Sequence, residues 1–226
     1  MIRGIKHGGA LILALLLTAC GGGGGGSTGG DSGSSAYGVR VLHAAIDGAP
    51  VDITSSIASA AVVSQAVFAD SSGYRSLPSG AQTLAVTKAL SPADVIASFP
   101  ASVGPRDRYS ILLYGDTQRF GLRSKLIVDD VPAPTAGAFV RFVNGVTGAS
   151  ALIVSSSSGQ SQQINFGDNS GYIPVSAGPV HLSASRAVDG NLVVSTNRLL
   201  EAGRAYTLLI SGEIGYYVKS TLFWDE

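Results

Sequence analysis

The chain has a single cysteine, Cys20, in 226 residues, so no intramolecular disulfide can form and stability has to come from packing. Charge is scarce as well. Charged residues make up 13%, and 15 basic residues balance 15 acidic ones; without Arg3 and Lys6 of the N-terminal leader, 13 face 15. A protein that holds polyphosphate needs several convergent Lys or Arg side chains to displace counterions, whereas the basic residues here are scattered singly. Nucleic acid is therefore not an expected partner. No G-x-S-x-G occurs, and "SSSSGQSQQ" at 155–163 reads as a polar loop, which leaves no nucleophile elbow. The apolar run from Ala10 to Leu17 is too short for a membrane span of roughly 20 residues. No cofactor is implied.

Glycine is abundant, with 30 residues. The short apolar stretches are rich in Val, Ile, Leu and Thr, side chains that suit a pleated, half-buried surface better than a helix. These features predict an all-β protein, and the length allows two small domains.

The first residues, "MIRGIKHGGALILALLLTAC", read as an address. Arg3, Lys6 and His7 form a positive n-region, a short apolar h-region follows, and small residues precede Cys20. The ending Leu17-Thr18-Ala19-Cys20 resembles the bacterial lipobox, with residues 1–19 as the signal peptide. That resemblance implies that Cys20 becomes the mature N-terminus, carrying a thioether-linked diacylglycerol and an amide-linked acyl chain such as palmitate. With about 0.8 kcal/mol per buried methylene and more than one chain, such an anchor holds permanently. Gly21 stands where an inner-membrane retention signal would place Asp, so the expected location is the cell envelope at the outer membrane. Cys20 and the stretch through "GGGGGGSTGGDSGSSA", residues 20–36, form the lipidated end and a flexible tether with a reach of about 20 to 25 Å.

Beyond the tether the chain repeats itself. "FADSSGYRSLPSG" at 68–80 is echoed by "FGDNSGYIPVSAG" at 166–178, "VRVLHA" at 39–44 by "VRFVNG" at 140–145, "RYSILLYGD" at 108–116 by "AYTLLISGE" at 205–213, and "LIVDD" at 126–130 by "LFWDE" at 222–226. The offsets are 98, 101, 97 and 96, in one order, which predicts a duplication: residues 37–131 and 137–226, joined by a Pro-containing linker at 132–136. Within each half apolar residues alternate, as in Val39, Val41 and His43, or Tyr109, Ile111 and Leu113. Period two in short segments between Gly, Pro, Ser and Asp clusters predicts about seven strands per half, hence two tandem immunoglobulin-like β-sandwiches.

In the repeated phrase, Asp70 and Asp168 are expected to accept backbone N–H bonds in a turn, Gly73 and Gly171 to take positive φ, and Tyr74 and Tyr172 to begin the next strand against the core. One carboxylate per turn is too few for Ca²⁺, which needs six to eight oxygens. "LEAGRAY" at 200–206 has the spacing of a tyrosine corner, an arrangement that "VGPRDRY" at 103–109 alters. Asp129 and Asp130, matched by Asp225 and Glu226, read as charges that blunt strand edges. His181 is expected to face solvent.

"VRVLHAAIDGAPVDI", followed by "GYRSLPSG" and "YSILLYGD", resembles the domain of unknown function 4397 family of secreted and surface-anchored microbial proteins, present as two copies. The family implies no activity. The first copy carries His43, Asp47 and Asp52 at the matching positions, and the second has Asn144, Gly148 and Ile153. A His with two carboxylates is the one local candidate for ligand binding or metal-assisted hydrolysis. The alternative is that His43 bonds a turn carboxylate while Asp47 and Gly48 make the turn. The expected function is a non-enzymatic, lipid-anchored envelope protein that binds an envelope protein or glycan. A hydrolase and a purely structural component are the alternatives.

Overall fold

A computed structural model describes residues 37–119, 121–133 and 135–225. The leader 1–19, Cys20 and the tether 21–36 lie outside the described residues, as does Glu226. The first half contributes β1 (Gly38–His43), β2 (Val51–Ser55), β3 (Val63–Ala66), β4 (Gly80–Lys88), β5 (Ser91–Val103), β6 (Arg108–Gly115) and β7 (Leu122–Val128). The second contributes β8 (Ala138–Thr147), β9 (Ala151–Ser156), β10 (Ser161–Asn165), β11 (Asn169–Val175), β12 (Gly178–Arg186), β13 (Leu192–Leu200), β14 (Ala205–Glu213) and β15 (Tyr217–Asp225). The described residues are all-β and contain no helix.

These strands form four sheets, two to a half. The first sandwich packs β1-β6-β7 on β3-β2-β4-β5, and the second packs β11-β8-β14-β15 on β10-β9-β12-β13. Two tandem sandwiches agree with the sequence pattern, and strand order refines the immunoglobulin-like expectation. In immunoglobulin domains the first strand shares a sheet with the second, fourth and fifth. Here the first strand of each half joins the last two, β1 pairing parallel with β6 and β8 parallel with β14. Parallel neighbours need a long crossover. The strands β2–β5 supply it in the first half, and most of β9–β13 in the second. In the first half the place of β11 is taken by residues 71–75, which form no continuous strand but reach β1 through the bridges Val39–Arg75 and Leu42–Ser71 and through Ser72, bonded to Val41.

Burial separates two kinds of strand. β2 alternates buried and half-buried residues, as period two predicts, and joins Val39, Val41, Ile111, Leu84 and Val86 in the core of the first sandwich. All six residues of β1 are buried, and β6, β8 and β14 are buried almost throughout. Strands covered on both faces read as continuous apolar runs instead of alternating ones. One face of β1 looks into its own sandwich; Leu42 on the other face and Ala44 just past the strand join Leu112, Ile127, Val143 and Leu209 in a separate cluster, flanked by Tyr114 and Phe223. That third cluster is where the two sandwiches meet. Gly145 permits the close approach, since a Cβ there would stand 2.1 Å from the Cβ of Ala44.

Candidate functional site

Beside this apolar cluster lies a buried ionic network, and each repeated phrase supplies one member from each half. Arg40 and Arg141 come from the V-R pairs within β1 and β8; Tyr74 and Tyr172 follow the turn glycines; Ser110 and Thr207 lie on β6 and β14; Asp129 and Asp225 are the first acids of the two D-D/E pairs. The ion pairs cross between halves. Arg40 Nη1 donates to Asp225 Oδ1 at 2.5 Å, and Arg141 Nη1 donates to Asp129 Oδ1 at 2.5 Å. Tyr74 donates to Asp129 Oδ2 and Tyr172 to Asp225 Oδ2, both at 2.7 Å. Ser110 donates to Asp129 Oδ2 and Thr207 to Asp225 Oδ2. Arg40 also bonds Ser110 and Thr207 oxygens, and Arg141 bonds Thr207. The tyrosine rings complete the packing, with Arg40 4.6 Å from the Tyr74 centroid and Arg141 4.9 Å from that of Tyr172.

All four charged side chains are at most 2% exposed. Burial works against the charge on Asp129, yet the Arg141 and Arg40 guanidiniums hold its carboxyl below the usual carboxylate range. Burial likewise opposes the charge on Arg40, and Asp225 and Asp129 outweigh it, keeping that guanidinium firmly protonated. The Tyr74 and Tyr172 hydroxyls are pushed up by burial and stay neutral donors. The expectation that Asp129 and Asp225 blunt exposed edges is thus corrected: both face inward because an arginine of the opposite half neutralises each one.

His43, Asp47 and Asp52 serve three different segments. The His43 ring is fully buried, and its Nε2 lies 3.2 Å from the Ala49 carbonyl oxygen, which can only accept; Nε2 therefore carries the proton. Burial lowers the imidazole pKa, so the ring is neutral and pins the loop that follows β1. Its partner is a backbone carbonyl and not the turn carboxylate the sequence suggests. In the second half Asn144 does comparable work, donating to Ile164 O and accepting from Val146 N. Asp47 accepts from the Thr117 N–H and hydroxyl, tying that loop to the β6–β7 hairpin. Asp52 accepts from Gln65 N at 2.7 Å and Leu90 N at 3.2 Å. Gln65 and Leu90 have φ of 52° and 63°, so the carboxylate steadies two non-glycine residues in left-handed backbone. Among the described residues no three His, Cys, Asp or Glu side chains group so as to hold a metal ion.

Other expected details have direct counterparts. Asp70 and Asp168 each accept the next residue's N–H, and Gly73 and Gly171 have φ of 66° and 68°. The Tyr206 hydroxyl accepts from Glu201 N, closing the corner in the second half. In the first, Tyr109 reaches back as a donor to Ser102 O in spite of the changed spacing. His181 is exposed and bonds Asn197 through Nδ1.

At the network's edge lies a cleft of about 440 Å³ whose lining includes Arg108, Pro132, Ala133, Arg204, Trp224 and Asp225. The Arg204 guanidinium lies 3.6 Å from the Trp224 ring centroid, and that of Arg108 lies 5.1 Å from the Tyr37 ring. Pattern reading overlooks both the network and the cleft. A findable signal for the network is the arginine of the V-R phrase repeated in two largely apolar strands, matched by an aspartate near the end of each half.

Comparison with curated proteins finds no match. The profile of a family described as Domain of unknown function (DUF4397) matches residues 37–155, which covers the whole first sandwich and the opening strands of the second. The matched stretch takes in β1, where the V-R-x-x-H-A phrase places Arg40 and His43, and by this match the chain belongs to the DUF4397 family.

Proposed function

We propose that the chain is a lipid-anchored protein of the bacterial cell envelope, held at the outer membrane through Cys20, in which two tandem copies of the DUF4397 domain act as one non-enzymatic module that binds an envelope glycan or protein. The observation that carries this reading is the crossed network. Its two arginines, two aspartates and two tyrosines sit at equivalent places in the repeated phrases; each arginine pairs with the aspartate of the opposite half, and each tyrosine holds the aspartate of its own half. Equivalent residues making equivalent bonds also support a duplication. The leader and its LTAC ending support the anchor. A metal-assisted hydrolase using His43, Asp47 and Asp52 ranks lower, because each of the three already holds a backbone amide or carbonyl of its own. A purely structural role shares the same fold and differs in needing no ligand.

Two experiments test the proposal. Cys20→Ala is expected to abolish acyl labelling and release the protein from the membrane fraction; a variant still found there contradicts the anchor. Full-length protein in detergent, immobilised and exposed to envelope extracts, is expected to retain a polymer or protein that survives salt washing. Repeated failure to retain anything removes the binding role and favours the structural one.

A further inference from the structure

We propose that β13 is a docking edge for a second copy of this chain, the two β13 strands pairing antiparallel about a two-fold axis so that two four-stranded sheets join into one. This goes beyond the binding role above and needs none of its ligands. The outer strand of a sheet presents unpaired backbone amides and carbonyls, and proteins guard such edges with proline, charge, bulges or shortness. The first half does so. Its outer strand β5, which pairs with β4 as β13 pairs with β12, carries Pro92, Asp94 and Pro100 and slips register twice. At the opposite edges of these two sheets, β3 has four residues and β10 has five, S-Q-Q-I-N. The edge formed by β13 is open. Its nine residues, L-V-V-S-T-N-R-L-L, hold no proline, no acid and a single base, Arg198, and its one register shift lies at its start. Leu192 and Leu199 are 64% and 76% exposed, and Val188 in the preceding hairpin is 74% exposed.

The sequence of β13 is complementary to itself. With Thr196 on the axis, Ser195 stands opposite the partner's Asn197, Leu199 opposite the partner's Val193, and Leu192 opposite the partner's Leu200. Polar residues then meet at the centre and apolar ones at both ends. Charge agrees with this register. Arg198 comes opposite the partner's Val194, four residues or about 13 Å along the strand from the partner's Arg198, which exceeds a Debye length of about 8 Å. One strand pair buries less than the roughly 1,200 Å² of a stable complex, so the contact is weak in dilute solution. On the anchored reading the chains share one membrane plane, which raises their effective concentration.

Cross-linking in membranes that carry the full-length protein tests this register. Single-cysteine variants Ser195→Cys, Thr196→Cys and Asn197→Cys, with Ser98→Cys on β5 as the guarded edge, are treated with copper phenanthroline and run on non-reducing gels. Across the axis two residues 196 lie about 4.5–5.5 Å apart, within disulfide reach, whereas two residues 195 or 197 lie about 7–8 Å apart. Thr196→Cys is expected to give about tenfold more dimer than the other three. Adding Leu199→Lys, a change at an exposed position, is expected to cut that dimer about tenfold while the circular dichroism of the solubilised protein stays that of the parent. The parent, with Cys20 acylated, is expected to give no disulfide dimer. A parent dimer would refute the anchor, and the series is then read in a Cys20→Ser background at high protein concentration, so the two failures stay distinct. Absence of dimer from Thr196→Cys overturns the proposal, and so does equal cross-linking at all four positions.

Discussion

At the scale of single residues, the crossed ion pairs set the terms. A buried pair is weak evidence of net stability, because desolvation offsets most of the attraction, but removing one partner strands a charge and costs about 3–5 kcal/mol. Asp225→Ala strands Arg40 and is expected to lower the unfolding free energy by about that much in urea melts, while Arg40→Met combined with Asp225→Leu recovers most of the loss. If Asp225→Ala costs no more than a surface substitution, the network does not hold the junction. pH acts through the same group. The Asp129 carboxyl has its folded-state pKa depressed, so the unfolded chain takes up protons first as pH falls. Its contribution is complete above the ordinary value of about 3.9 and is lost as pH drops through the folded-state value. Asp129→Asn should therefore show less acid destabilisation than the parent as pH falls below about 4, though it starts less stable.

At the scale of strands, the approach of the segment just past β1 to β8 depends on Gly145, whose absent side chain makes room for Ala44. Gly145→Ala is expected to cost about 1–3 kcal/mol through overpacking, with Ala44→Gly restoring part of it in the double variant. Additive losses in the pair would mean the two residues do not meet. Strands were the part of the fold most legible in the sequence, for a physical reason. Where one face is solvated, as in β2, the alternation of Val51, Asp52, Ile53 and Thr54 states the strand and its facing directly. In β1 and β6 the residues between the inward Val39, Val41, Ile111 and Leu113 are buried too, and period two cannot say against what. Arg40 reads as an outward charge until its aspartate, 185 residues away, is known. The trio His43, Asp47 and Asp52 shows the converse, since nearness along the chain suggested a cluster while hydrogen bonding sends each side chain to a separate segment.

At the scale of the molecule, residues 37–225 fall within a single compact unit. The halves share an apolar cluster, the crossed network, and the peripheral pairs Lys125–Asp168 and Arg119–Glu213. They are therefore expected to unfold together, with one calorimetric peak whose enthalpy equals the van't Hoff value. Two resolved peaks, or an Asp225→Ala variant in which only the second half melts early, would mean the sandwiches are independent. The short connection has a further consequence. Only nine residues separate Val128 from Ala138, so each inner face meets its mate at an effective concentration on the order of millimolar. Closure then requires no more intrinsic affinity than a transient encounter between free proteins, and the arginines and aspartates are free to select the register of docking instead of supplying its strength. Severing the backbone between Val131 and Gly137 would remove that advantage while leaving the residues of the crossed ion pairs and the apolar cluster intact, and dilution would then decide whether the halves stay together.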